Sequence, residues 1–269
     1  MLFNNNIEVE KLLKKKENNN LVISFSGGLD TTSLLIKAKK ENRFNKIACV
    51  SIDYGQSNRK ELEAAAKIAK DFEVNDFRII DATFIQKLSK DNFLAGTSNK
   101  IVNADGLSDM EMAALENKDI RAMEKRFEEG NTFVPMRNFF FIGLVAAYAY
   151  NEGYNNIGIG AVKNEYCADG EKPFLKLLEK TINRGLPKNK RNLKLYTPFT
   201  NKEKWDILEE IDKLGYLEYV IYKTVSCDRG LYGLGCGTCP SCLERKEAIL
   251  RYLNKTKRTL GENNEIIYR

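Results

Sequence analysis

Residues 21–25, Leu21-Val22-Ile23-Ser24-Phe25, form a short apolar run with β-prone side chains. The small-residue turn Ser26-Gly27-Gly28 follows, and then a helix-like stretch over 31–40, so the pattern predicts strand, loop and helix in succession. A second run, 46–52, predicts another strand. After it, Leu62, Ala65, Ala66, Ala69 and Phe72 recur at helical spacing. Residues 77–80 make a third strand candidate. Strands that alternate with helices predict an α/β fold: a parallel sheet covered on both faces.

Residues 91–130 interrupt the alternation. They open on Gly96-Thr97-Ser98-Asn99 and continue into an acidic, Met-containing helical stretch over 108–129. A long polar connection inside a compact domain reads as a lid, a contact surface or disorder. Regularity returns with a buried-type helix over 137–151, a strand over 156–160, and amphipathic helices over 172–183 and 202–214. The segment 185–191 is a basic loop. From Cys227 the composition changes, with four of the six cysteines within sixteen residues. The expected organisation is an N-terminal extension (1–20), a nucleotide-binding α/β domain (21–222) carrying the insertion at about 91–130, and a cysteine-rich, helical C-terminal part (223–269).

Composition narrows the chemistry. The chain has 269 residues, 43% hydrophobic and 30% charged, and no histidine. Length and usage suit one sizeable globular core, and the missing imidazole excludes Ser-His-Asp triads, Cys-His nucleophiles and His-ligated catalytic zinc. The net charge of +6 is spread along the chain, which suits anionic ligands such as nucleotides better than a nucleic-acid footprint. The longest apolar stretch, 139–150, spans twelve residues and contains Gly143; a spanning helix needs about 20. The first twenty residues lack the order of a signal peptide. A cytoplasmic protein without membrane contact is expected.

A glycine-rich turn between a buried strand and a helix places backbone N–H groups at the positive end of the helix dipole, where they can hold phosphate oxygens. Ser26-Gly27-Gly28-Leu29-Asp30-Thr31-Thr32-Ser33 supplies such a turn, an acidic group able to position Mg²⁺, and three hydroxyls beyond it. It is not a Walker A loop and lacks the dinucleotide spacing. It resembles the pyrophosphate loop, Ser-Gly-Gly-x-Asp-Ser/Thr, of the ATP pyrophosphatases, which cleave ATP between its α and β phosphates to adenylate an oxygen. Asp53 ends the second strand where parallel sheets gather ligands; it equally suits the start of a turn through Tyr54-Gly55.

Cys227, Cys236, Cys239 and Cys242 read Cys-x8-Cys-x2-Cys-x2-Cys. Two-residue separations let thiolates converge on one ion and close a tetrahedral shell, so a structural zinc knuckle is expected, bracing the far end of the molecule from the nucleotide loop. An iron-sulfur cluster is the rival, although Lys246 stands where a fourth cluster cysteine is expected. Cytosolic disulfides are disfavoured. Cys49 reads as a small core residue.

The loop and the knuckle together resemble the 7-cyano-7-deazaguanine synthase family of queuosine biosynthesis. Further matches are Asp53-Tyr54-Gly55-Gln56 with Arg59-Lys60-Glu61-Leu62-Glu63, Phe133-Val134-Pro135-Met136-Arg137-Asn138, Tyr196-Thr197-Pro198-Phe199, and the block from Ser226 to Arg245. The resemblance spans about residues 20–252. It implies a sheet of the adenine-nucleotide alpha-hydrolase type, Rossmann-like, with ATP, Mg²⁺ and Zn²⁺ as cofactors. The implied activity adenylates 7-carboxy-7-deazaguanine, lets ammonia displace AMP, and activates the amide again to leave a nitrile. It implies that Phe25, Ser26, Gly27, Gly28, Leu29, Asp30, Thr31, Thr32, Ser33 and Asp53 bind the nucleotide, with Asp30 and Arg137 catalytic. Tyr54, Gln56, Arg137, Asn138 and Asp169 would bind the acid, and the four cysteines the metal.

The chain departs from the family where the acid binds. Ser57-Asn58 replace Arg-His, and Cys167-Ala168-Asp169-Gly170 retains only the Asp of the family's Tyr-Pro-Asp-Cys, with Asn164 in the place of a preceding Asp; in the nucleotide loop the change is mild, Thr31 for the usual Ser. Two other readings therefore stand: a diverged relative that adenylates another carboxylate, and a zinc-knuckle RNA-binding protein using Lys188-Asn189-Lys190-Arg191. Three charges in a loop are ordinarily a solvated face. The partners expected are small molecules, with a homodimer as one option.

Overall fold

In a computed structural model, the described residues are 19–90, 92, 94–97, 134–163, 168–190, 192–237, 239–261 and 265–268. Most of the 91–130 excursion, the first 18 residues, Asn164 and Cys167 lie outside them.

Five strands, β1 (Asn20–Ser24), β2 (Lys46–Asp53), β3 (Asp76–Asp81), β4 (Asn156–Gly158) and β5 (Lys194–Tyr196), form one sheet in the order β3-β2-β1-β4-β5. Every pairing is parallel, with Leu21 against Ile47, Val22 against Ile157 and Ile157 against Leu195. The strand alternation decides which residues face which layer. Leu21, Ile23, Phe25 and Cys49 point into one apolar cluster, and Val22, Ala48, Val50 and Ile52 into the other. Cys49 is fully buried, as its place in an apolar strand predicts.

Helices α1 (Leu29–Glu41), α2 (Lys60–Asp71), α5 (Lys204–Lys213), α6 (Leu217–Lys223) and α7 (Pro240–Lys255) contribute to the first cluster; α3 (Arg137–Glu152) and α4 (Lys172–Gly185) cover the second. The α7 residues Ala248, Ile249, Tyr252 and Leu253 pack with Leu34, Leu208 and Ile211, so the C-terminal helix shares the core on that face of the sheet. A short antiparallel pair, β6 (Arg258–Leu260) and β7 (Ile266–Tyr268), follows it. No helix among the described residues is long and apolar enough to cross a membrane.

The pattern missed β5, α6 and the β6–β7 pair. Each is short, and Lys194-Leu195-Tyr196 offers a single alternation, too little to separate from loop. The strand order reverses between β1 and β4, because β2 and β3 extend the sheet to one side and β4 and β5 to the other. Such a switch point leaves a crevice beyond the carboxyl ends of the strands, and the candidate residues gather there.

Candidate functional site

The loop after β1 is shaped by one close approach. Gly27 has φ +76°, and a Cβ there would lie 2.7 Å from the Ala65 nitrogen and 2.9 Å from its Cα. Glycine therefore lets α2 seat directly against the turn. Gly28 leads into α1 with no side chain of its own to cap the first turn; Ser226 takes the Leu29 N–H, and the next N–H groups are left at the crevice. Ser26 Oγ accepts from Gly28 N at 3.3 Å and lies 3.1 Å from Thr31 Oγ1. Among the described residues, Asp30 Oδ1, Thr32 Oγ1 and Ser33 Oγ are buried without a hydrogen-bond partner. Buried polar atoms of this kind ordinarily have one, and a phosphate with its cation is a chemistry that uses both kinds of donor and acceptor.

Residues from the far end of the chain complete this corner. Lys204, at the head of α5, lies 3.5 Å from Asp30 Oδ2 and 3.0 Å from Glu244 Oε2. Burial pushes the Asp30 carboxyl above its ordinary value, against the pull of Lys204. Burial also disfavours the Lys204 charge, yet Asp30 and Glu244 outweigh it and hold the ammonium above its usual range. Ser226 Oγ accepts from Leu29 N at 3.4 Å and from Arg245 Nη1 at 2.8 Å. Arg245 is 1% exposed and also donates to the Val220 and Ile221 carbonyls.

The opposite wall is a polar cluster among aromatic rings. Met136 adopts φ +59° and turns the chain into α3, which brings Arg137 and Asn138 to the crevice. Arg137 hydrogen-bonds the Tyr54 phenol, and burial and Glu61 push that phenol's pKa up. Gln56 is oriented by its own backbone surroundings: Tyr54 N donates to Oε1 at 2.9 Å, and Nε2 reaches Ile52 O at 3.4 Å and Glu61 Oε1 at 2.8 Å. Asn138 donates to Asp169 from both its backbone N (3.1 Å) and Nδ2 (3.0 Å).

A cavity of about 380 Å³ joins the two walls, within the range of small-molecule sites. Of the residues singled out from sequence, Phe25, Ser26, Gly28, Leu29, Asp30, Thr31, Tyr54, Arg137 and Asn138 line it. Gly27, Thr32 and Ser33 stand behind the loop; Gln56 and Asp169 reach the cavity through Glu61 and Asn138. Asp53 does not line it: its carboxylate accepts from Gly55 N at 3.1 Å and pairs with Arg59. Glu61, Lys204, Ser226, Asp228, Ser241 and Glu244 also line it, and sequence reading had given none of them a role. All but Lys204 lie within segments that match the family, Glu61 in 59–63 and the others in 226–245, so a weak signal existed for them.

The knuckle is not at the far end from the nucleotide loop. Val225 N donates to Gly27 O at 3.3 Å, and Asn58 Nδ2 to Cys227 O at 2.9 Å. The cysteine segment thus leans on the loop, and its first residues wall the cavity. The four Sγ atoms of Cys227, Cys236, Cys239 and Cys242 all lie within 4.8 Å of one another. Tetrahedral thiolates at about 2.3 Å from one ion sit about 3.8 Å apart, and Cys236 and Cys242 are at 3.9 Å. Gly235 backs the group: a Cβ there would come 2.3 Å from Cys242 Sγ. The donor set fits a single closed-shell ion.

A family model for queuosine biosynthesis protein QueC matches residues 20–253. The chain is 34% identical over 234 residues to a 7-cyano-7-deazaguanine synthase of Helicobacter pylori, covering 84% of this chain and 92% of the relative. It is 33% identical to one of Phocaeicola vulgatus, covering 86% and 93%. Among solved structures it is similar to the NH3-dependent NAD synthetase of Campylobacter jejuni, at 13% identity and TM-score 0.39 over 80% of this chain and 72% of that one. It is also similar to the U34-tRNA thiolase NcsA of Methanococcus maripaludis, at 12% identity and TM-score 0.39 over 93% and 72%.

Proposed function

The chain belongs to the queuosine biosynthesis protein QueC family, and on that premise we propose that it converts 7-carboxy-7-deazaguanine, ammonia and ATP into 7-cyano-7-deazaguanine. The observation that carries the reading is the one cavity shared by the head of α1 and the Arg137 wall. An anion-binding end and an end with aromatic rings, a guanidinium and amides suit a nucleotide triphosphate beside a heterocyclic acid.

In the first step an oxygen of the acid attacks the α phosphorus, and the bond to pyrophosphate breaks. The N–H groups at the start of α1, Ser26 and Thr31 bind the phosphates, and Lys204 sets a fixed positive charge where negative charge leaves. Arg137 and Asn138 orient the acid, Asp169 holding Asn138 in place. Ammonia then attacks the carbonyl carbon, AMP leaves, and an amide and a proton result. A second ATP adenylates the amide oxygen, and loss of AMP with a proton leaves the nitrile. Mg²⁺, held through Asp30, would offset phosphate charge. Zn²⁺ on the four thiolates would be structural, fixing the chain that carries Val225, Ser226 and Asp228. No side-chain nucleophile or imidazole is required, which accords with the absence of histidine.

Purified protein with ATP, Mg²⁺, ammonium and 7-carboxy-7-deazaguanine should yield AMP and nitrile, followed by mass spectrometry. Asp30→Ala should abolish AMP release and leave zinc content intact. AMP release with another acid and none with this one would overturn the substrate assignment, and full activity of the Asp30 variant would overturn the loop assignment.

A further inference from the structure

Amide formation demands neutral ammonia, whereas near neutral pH almost all of it is ammonium. Some group in the cavity can resolve that mismatch. A base for this proton must line the cavity, keep one lone pair open to it, and not be consumed by a permanent ion pair.

The carboxylates of the cavity differ in this respect. Asp30 is taken by Lys204 at 3.5 Å and Glu244 by the same Lys204 at 3.0 Å, while Asp228 accepts from Ser241 Oγ at 2.8 Å and is hydrogen-bonded to the Ser241 backbone and to Cys239 as well. The Glu61 carboxyl accepts one hydrogen bond among the described residues, from Gln56 Nε2 to Oε1 at 2.8 Å. Gln56 is itself held at both ends of its amide by Tyr54 N and Ile52 O, so the Glu61 carboxyl is positioned through one oxygen on a residue that lines the cavity. Resting on the reading given above, the geometry points to Glu61 as the proton acceptor that converts bound ammonium to the attacking ammonia.

The step balances. Glu61 takes one proton from ammonium; the nitrogen lone pair so freed forms the C–N bond; the bond to the AMP oxygen breaks and AMP leaves as an anion. The second proton that the nitrogen must shed to become a neutral amide passes to solvent water, and Glu61 returns its own to solvent before the next turnover. The surroundings suit the task. Burial pushes the Glu61 carboxyl up to about 7, against the Gln56 hydrogen bond and the Arg137 charge, with Asp228 adding to the rise. A general base poised near neutrality combines adequate basicity with a populated anion. Tyr54, whose phenol stays protonated, and Arg137, Asp228 and Gln56 are the charged and polar groups that face it.

Two reactions of the same protein separate this inference from the proposed function. Acid-dependent exchange of pyrophosphate into ATP reports adenylation alone, while amide and nitrile formation report the nucleophile. If the wild-type protein shows no exchange with 7-carboxy-7-deazaguanine, the substrate assignment has failed, whatever Glu61 does. Given exchange, Glu61→Gln should keep it within about twofold and lose amide formation by roughly 100-fold or more, and Glu61→Asp should recover part. For the wild-type protein, kcat/KM for total ammonium should level off above pH 7. In Glu61→Gln it should climb about tenfold per pH unit, following free ammonia.

Hydroxylamine, already neutral in this range, should bypass Glu61 in the wild-type protein and abolish the limb near pH 7, a result that stands even if the variant does not fold. Amide formation by Glu61→Gln within threefold of wild type would overturn the inference. So would loss of exchange with a raised KM for the acid, which would assign Glu61 to recognition of the base, or a wild-type profile that tracks free ammonia throughout.

Discussion

The hydroxyl of Ser226 accepts the backbone N–H of Leu29 at 3.4 Å, joining the head of α1 to a residue 197 positions later. The same hydroxyl accepts from Arg245 Nη1 at 2.8 Å, and Arg245 lies one helical turn beyond Cys242 in α7. Metal ligand, buried guanidinium, serine and phosphate-loop amide thus form one connected series.

Metal removal should therefore weaken nucleotide binding as well as stability. Without the ion, three buried thiols and the half-buried Cys236 lose the centre that converges them, and the Val225–Ser226 segment loses its anchor beside Gly27 and Leu29. Strong chelation, or Cys239→Ser, should lower the melting temperature by several degrees and raise the Kd for ATP several-fold, read by calorimetry. Ser226→Ala should raise the Kd without lowering bound metal. An unchanged ATP affinity in metal-free, folded protein would contradict the linkage.

Gly27→Ala probes the other side of the loop. Its φ of +76° already disfavours a side chain, and the new Cβ would sit 2.7 Å from the Ala65 nitrogen, so α2 must move. Backbone cannot yield as a flexible side chain can. Destabilisation of about 2 kcal/mol or more is expected in urea unfolding, with ATP-dependent AMP release falling by at least tenfold. A variant of wild-type stability would mean that the turn does not depend on this contact.

Much of the fold was legible because local patterns were long enough to count. The alternation in 21–25 assigns Leu21 and Ile23 to one layer and Val22 to the other, and the 46–52 run does the same for Cys49 and Val50. The turn between β1 and α1 was legible because its signal is local: glycines, hydroxyls and Asp30 stand within eight residues. The remainder of the site was not, since it is assembled by contacts between segments far apart in the chain. Lys204 reads as one charge among many on an amphipathic helix; only the packing of α5 beside α1 turns it toward Asp30. Glu61 and Glu63 are indistinguishable in the string, yet two positions along a helix rotate the side chain away, so that Glu61 lines the cavity and Glu63 is exposed. The knuckle's position beside the loop is likewise a tertiary fact, carried by Val225, Ser226 and Asn58.

Glu61 also predicts a pH dependence of folding that is separate from catalysis. Its carboxyl titrates at about 7 in the folded protein, against an ordinary value of 4.5, because burial disfavours the anion. Between those values the folded state binds more protons than the unfolded chain, so this group makes stability fall as pH rises from about 4.5 through 7, and the penalty is complete above the folded value. Glu61→Gln keeps the size and the acceptor for Gln56 Nε2 but removes the charge. At pH 5 both side chains are neutral in the folded state but the unfolded wild-type carboxyl is already largely ionised, so what the two pH values isolate is a gain of the variant over wild type of roughly 2.5 kcal/mol from pH 5 to pH 8. Urea unfolding at the two pH values, without ligands, reads the difference directly. An unchanged difference between variant and wild type from pH 5 to pH 8 would show that the carboxylate is well solvated in the folded protein, and would remove the basis for a base poised near neutrality.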